Sequence, residues 1–400
     1  MNNRNILVVD GHKAVISYDP DINMFRGEFV GLNGGADFVA ENVSRLIAEG
    51  KVSLREFLDV CRKRGIEPNR QYQGKPIVFP EALVRLSEVL ERDIEFFIDP
   101  FVVEGEAAFS WRADDAVPSK DLERFEHRVG GWVGMLRFLR KWNAGAGGPF
   151  GMTLRLGKES SFEDALAMGE AVVGHLKLGA VPAARLVERV ESSLDIPVLF
   201  IDAIKAPRGK VSGATCHLPD LGVILINRNE PEARRHYDLA HELFHALTWA
   251  EMAPAHRETP DGRKKGKEWR VEKLADNFAA GLLMPTASLE RFIDRKRMAD
   301  VEHLVEVANQ LRVSPYALAF RLFNAKWIDE SVRAALSHRT SGLSVSTPKR
   351  FSTQFVELLH QGIDRGQVSA RKVAKTLGLT LAELVDLFAE HTDKHAPFAL

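Results

Sequence analysis

Cysteine is nearly missing: Cys61 and Cys216 are the only two in 400 residues. That excludes a disulfide framework and any CxxC metal or redox site, and leaves two free thiols, expected to be buried in a reducing compartment. A surplus of charge is missing too, since 54 lysines and arginines stand against 55 aspartates and glutamates. Composition therefore supplies no global pull toward nucleic acid or a membrane surface, and any DNA contact would have to be local. No run approaches the roughly 20 apolar residues of a membrane span, and the apolar part of "MNNRNILVVDGHKAV" is shorter than a signal-peptide core. There is no internal repeat and no low-complexity tract. What is present, 45% hydrophobic and 27% charged residues, can build the cores of two or three domains, expected in the cytoplasm.

The pattern along the chain is that of an α+β protein. Residues 12–32 alternate apolar and polar positions across an Asp-Pro-Asp turn, which predicts a hairpin with one buried face. Helices are predicted over 38–48 and 53–64, the second with a Ser53/Glu56 capping box and a Gly65 stop. Residues 80–97 have helical spacing at Leu83, Leu86, Val89 and Leu90, and helices continue through Trp142. "NAGAGGP", residues 143–149, offers nothing to pack and reads as a flexible junction. Helices are predicted over 162–178 and 183–194, a buried strand over 196–202 and two strands over 211–227 around a Pro-Asp turn. A helical stretch over 301–323, a polar linker over 338–350 and further helices complete the chain. The domains expected are a β/α module at 1–76, a helical linker domain at 77–145, a central domain at 150–330 and a helical domain at 345–400.

The chemistry lies in "YDLAHELFHA", residues 237–246. A helix starting near 229–231 projects His241 and His245 from one face, one turn apart, while Leu239, Leu243, Phe244, Ala246 and Leu247 cover the rest. Two neutral imidazoles in this register can hold one Zn²⁺, and Glu242 points toward the same cavity as a general base. In "EWRVEKLADNFAAGLLMP", residues 268–285, Glu272 and Asp276 lie one turn apart on an otherwise apolar helix. Two carboxylates there either face solvent or need partners, and a metal and a ligand histidine are apt ones. Glu272 is the expected third ligand, and Asp276 the acceptor for the free ring N–H of His241. Three protein ligands leave a position open, as in catalytic zinc sites.

Tyr237, one turn before His241, either packs its ring or reaches toward a tetrahedral oxyanion. His217, His236 and His256 lie nearby in sequence and are expected to be ordinary surface or core residues. Peptide hydrolysis suits such a site, with Glu242 taking a proton from water and delivering it to the leaving amine. An extended substrate is commonly held by adding it to a sheet edge. The 211–227 hairpin is the candidate, with Val223, Ile224, Leu225, Ile226 and Asn227 the expected substrate-binding residues; which of its two strands is the edge is not readable from sequence.

These motifs resemble the ImmA/IrrE family of bacterial metallo-endopeptidases. The resemblance rests on "GVILINRNEPEARRHYDLAHELFHAL" and on "ExxADxFAAxLLMP" over 272–285, and extends more loosely over 80–323, including "FFIDPFVVEGEAAFSWRA". It implies a zincin-like fold, zinc on His241, His245 and Glu272, Glu242 as catalytic base, and cleavage of a partner transcriptional repressor encoded nearby, in a stress or mobile-element response. In that family a helix-turn-helix usually stands upstream. Here residues 11–75 are instead similar to HicB-type antitoxins, which implies a small partner-binding or nucleic-acid-related module and puts direct operator binding in doubt. At 368–388, two short helices around a Gly-Leu-Thr turn could pass for a helix-turn-helix, but Glu383 and Asp386 on the second favour an accessory helical domain. The competing reading is a non-catalytic regulator or antitoxin-like binding protein on a metal-stabilised scaffold.

Overall fold

The computed structural model describes residues 6–19, 23–69, 71–72, 75–76, 99–103, 105–143, 152–202, 209–258, 267–343, 346–392 and 394–398. The helix expected over 80–97 lies outside them, as does the junction at 143–149 apart from Asn143. The chain divides into two compact units, one comprising Met1–Val103, Arg128–Gly145 and Thr353–Leu400, the other Glu104–His127 and Ala146–Ser352.

In the first unit, β1 (Ile6–Val9), β2 (His12–Asp19), β3 (Met24–Phe29) and β4 (Asp37–Ala40) form an antiparallel sheet in that order. Helix α1 (Val43–Arg64) packs on it through Leu46, Gly50, Leu54, Phe57 and Cys61. The hairpin predicted over 12–32 is present as β2 and β3. The helix predicted over 38–48 is not: its first part pairs with β3 as β4, and α1 begins only after Asn42, whose side chain caps the Arg45 N–H. The Ser53/Glu56 capping box is also absent. The buried positions of α1 recur every three or four residues straight through Ser53, so the helix does not break, and the Ser53 hydroxyl donates to the Asp37 carbonyl instead. Gly65 does end the helix, in the left-handed conformation that glycine adopts without strain. A short ribbon of β5 (Gln71–Tyr72) and β6 (Lys75–Pro76) follows.

Three C-terminal helices, here labelled after the others as α11 (Thr353–Asp364), α12 (Ala370–Leu377) and α13 (Leu381–His391), also belong to this unit. Gly378 turns α12 into a Thr380/Glu383 capping box that starts α13. Lys372 is turned inward, with Nζ 2.9 Å from Asp99 Oδ2 and 3.6 Å from Glu28 Oε2.

The second unit is built on a five-stranded sheet of order β11-β7-β9-β10-β8, where β7 is Ala108–Ala113, β8 Val198–Ile201, β9 Val211–Leu218, β10 Leu221–Asn227 and β11 Arg257–Glu258. β7 lies within the 77–145 segment expected to be helical. The helix that follows it, α2 (Ser119–Asn143), does agree with that expectation. Around the sheet come α3 (Phe162–His175), α4 (Leu186–Leu194), α5 (Glu232–Thr248), α6 (Lys267–Leu283), α7 (Thr286–Phe292), α8 (Val301–Gln310), α9 (Pro315–Asn324) and α10 (Glu330–Ser337). A single apolar core runs from Val172 on α3 through Ile224 on β10 and Phe244 on α5 to Phe278 on α6.

The packing of α3 against α6 sets the position of the site. A Cβ at Gly169 would collide with the Phe278 carbonyl oxygen, and one at Gly281 with the Leu166 carbonyl oxygen. The two backbones therefore approach as closely as only glycine permits. Pro285 ends α6 by fixing the start of α7. Among the described residues no helix is long and apolar enough to cross a membrane.

Candidate metal centre

Pro231 caps the start of helix α5, an imino residue placed where the helix needs no N–H, and fourteen of the helix's seventeen residues are buried. Such burial forces the polar side chains on it to find partners within the protein. His241 and His245, one turn apart, bring their Nε2 atoms to 3.1 Å from one another. Glu272, on α6, places Oε2 3.2 Å from His241 Nε2 and Oε1 3.6 Å from His245 Nε2.

Glu258, on β11, was not anticipated. It is 3% exposed, with Oε1 3.3 Å from His245 Nε2 and Oε2 3.5 Å from His241 Nε2. One ligand atom from each of these four residues lies within 4.8 Å of all the others.

The donor set fits a divalent metal. Four donors at 2.0–2.2 Å from a common tetrahedral centre stand about 3.3–3.6 Å apart, and the nitrogen–nitrogen and nitrogen–oxygen separations here centre on that edge. Two imidazole Nε2 atoms aimed at each other in a buried space, facing carboxylates, need positive charge between them. Burial opposes charge on both rings, as Arg112 does at His241, yet Asp276, Glu258 and Glu272 raise His241 well above the usual histidine value, and Glu258 and Glu272 raise His245. Burial likewise works against an ionised Glu258, but the two histidines hold it well below the usual carboxylate range. A bound divalent metal would supply the positive charge that this arrangement favours.

The surrounding residues orient this set. Asp276 Oδ1 is 3.2 Å from His241 Nδ1, and Lys273 Nζ is 2.9 Å from its other oxygen. Tyr237 donates its hydroxyl proton to Asp276 Oδ1 at 3.1 Å. Its ring lies beneath the Arg112 guanidinium, whose Nε is 3.7 Å from the fully buried Asp238.

Glu242 is fully buried and sits against β9, where the Thr215 hydroxyl lies 2.8 Å from Oε2; Oε1 has no hydrogen-bond partner among the described residues. Burial, and then the charge of Glu258, push its carboxyl up to about 7. A carboxyl in that range exchanges a proton near neutrality.

Ser110 pairs with Thr215 across β7 and β9, and Arg112 pairs with Gly213, so one face of the sheet carries the side chains that meet Glu258, Glu242 and Asp238. None of Ser110, Arg112, Thr215 or Glu258 was found from sequence. The nearby histidines stay apart from the cluster: His217 stacks on Trp249, His236 meets the Arg312 carbonyl, and His256 pairs with Glu126.

Val223, Ile224, Leu225, Ile226 and Asn227 do not form a substrate edge. They belong to β10, an interior strand paired in parallel with β8 on one side and antiparallel with β9 on the other, and all five are buried. From Ile224 to Ile226 both backbone edges of β10 are paired and cannot take a further strand. The other hairpin strand, β9, is flanked by β7 and β10.

Residues 191–323 match the family model of the IrrE N-terminal-like domain, a peptidase family. The match covers β8 to β11, both helices that carry the candidate ligands and Glu258, and supports the ImmA/IrrE resemblance and a metallopeptidase scaffold. The strand bearing Ser110 and Arg112 lies outside it. No curated protein matches the chain.

Proposed function

We propose that this protein is a zinc-dependent endopeptidase that cleaves a partner regulatory protein, a transcriptional repressor encoded nearby being the first candidate. One observation carries the reading: two imidazole Nε2 atoms 3.1 Å apart and flanked by carboxylates, with the Glu242 carboxyl on the same helix and pushed up to about 7. His241, His245 and Glu272 would hold the metal, and Asp276 fixes the His241 ring. Zinc bound there supplies a Lewis acid that polarises the scissile carbonyl and acidifies water.

Glu242 takes the proton from the attacking water and returns it to the leaving amine, while Thr215 fixes the carboxylate oxygen that does not face the substrate. The apolar walls of α5 and α6 exclude bulk water and strengthen each of these contacts. In this reading the HicB-like module at 1–76 recognises the partner, and the role in a stress or mobile-element response follows from that partner.

The test is to incubate the purified chain and zinc with repressors encoded beside it. Wild type should release a fragment that Glu242→Gln, with its zinc retained, does not. His241→Ala should lose the zinc. A zinc-loaded wild type that cuts none of these partners would sink the hydrolytic claim and leave a binding protein on a metal-stabilised scaffold.

A further inference from the structure

Resting on that reading of the metal site, we propose that Glu258 is a fourth, exchangeable protein ligand that keeps the centre closed until it is displaced. Three observations converge on it. The first is position: both oxygens of Glu258 face the histidine Nε2 atoms, at 3.3 and 3.5 Å, as closely as those of Glu272 do at 3.2 and 3.6 Å. With all four residues coordinated the tetrahedron is complete, and a site closed by four protein ligands has no position left for a reactant.

The second observation is what carries Glu258. It does not ride on a core helix, as Glu272 does. It sits on β11, two residues long, laid along the outer edge of β7 in register with Trp111 and Arg112. The Trp111 N–H donates to the His256 carbonyl at 2.9 Å, and the Ser110 hydroxyl is 2.7 Å from both the Ala255 carbonyl and Glu258 Oε1, able to donate to one at a time. Arg257 holds the carbonyls of Asp114 and Val117. This is the chain's own peptide added as an extended strand to a sheet edge beside the metal centre. An extended protein substrate would use the same backbone groups of β7.

The third is burial. Glu258 is 3% exposed, and among the described residues its carboxylate meets the Ser110 hydroxyl and the two histidines of the candidate site. A carboxylate is not kept in such a place without a strong cationic partner. Segment 255–258 thus occupies the path of a substrate strand while Glu258 fills the fourth position. A partner that pairs better with β7 displaces both together, which ties opening of the centre to arrival of the substrate.

The experiment uses the full-length chain loaded with Co²⁺ and titrated with acetohydroxamate, which needs open coordination, following the visible absorption of the metal. Wild type and Glu258→Gln should each bind one Co²⁺ per chain. Glu258→Gln should bind acetohydroxamate about tenfold more tightly, because a site closed nine-tenths of the time loses that factor in apparent affinity. It should also release zinc to a chelator more readily than wild type. Ser110→Ala, which leaves the carboxylate but removes its hydroxyl donor, should shift acetohydroxamate binding in the same direction, and it decides the matter if Glu258→Gln does not fold. Equal acetohydroxamate affinity in wild type and the folded variants overturns the role of Glu258 while leaving the metal centre standing. A wild type that binds no metal overturns the centre itself.

Discussion

The hydroxyl of Thr215 lies 2.8 Å from Glu242 Oε2 and 3.0 Å from the Glu242 carbonyl oxygen, so one side chain of β9 meets both the backbone and the carboxyl of the residue after His241. Replacing it with the near-isosteric valine leaves that carboxyl buried without its donor. Thr215→Val should lower kcat about tenfold with little change in KM or zinc content, the loss expected for one hydrogen bond to a charged group. Steady-state kinetics beside metal analysis checks this. An unchanged kcat would show that the hydroxyl does not position Glu242.

Asp276 is 3.2 Å from His241 Nδ1 and also accepts the Tyr237 hydroxyl. Asp276→Asn keeps the shape but removes the charge that, in the proposed centre, holds the ring as a ligand. Zinc affinity, measured by competition with a coloured chelator, should weaken by about 10- to 100-fold. Tyr237→Phe, which leaves the carboxylate in place, should weaken it much less.

The close approach of α3 and α6 should tolerate no added methyl group. Gly169→Ala drives a Cβ into the Phe278 carbonyl, and the helices must move apart. A loss of about 1–3 kcal/mol in denaturant unfolding is expected. Because α6 carries Glu272 and Asp276, zinc affinity should fall in the same variant, whereas Gly174→Ala, on the same helix with open space at its Cβ, should change neither.

Burial pushes His236 below its ordinary value, with its ring against the Arg312 carbonyl, Glu232 favouring the charged form and Arg312 and Arg235 opposing it. In the unfolded chain the ring titrates at its ordinary value of 6.5. Below that pH the unfolded state binds the proton more readily than the folded state, so stability falls as pH falls from about 6.5 toward the folded value. His236→Gln should flatten the decline in Tm between pH 7.5 and 5.5. Parallel curves for wild type and variant would show that this ring does not contribute.

What the sequence disclosed follows the range of the interactions involved. His241, His245, Glu272 and Asp276 were legible because each pair sits one turn apart on a helix whose apolar period is local. Their meeting across α5 and α6 was inferred from chemistry, since neither pair of polar groups can be buried alone. Glu258 was not legible: it lies on a two-residue strand, in a polar segment, and its place depends on pairing with Trp111 and Arg112, roughly 145 positions earlier.

The same reason hid Ser110, Thr215 and Arg112, and made β10 look like an available edge. Its hairpin partner is adjacent in sequence, but its second neighbour, β8, arrives by a parallel pairing that no local pattern announces. At 38–40 three residues read as the start of a helix form a strand instead, because β3 is there to pair with them.

The two cysteines close the account. Cys61 is buried in the unit with the four-stranded sheet, and Cys216 is fully buried in the unit with the metal centre, both with thiols pushed upward by burial. Neither meets an alkylating reagent until the structure around it opens. The natural chain thus carries one silent probe in each unit, and mass spectrometry of the labelled peptides can time their unfolding separately, with zinc or a partner protein present or absent, without introducing a residue.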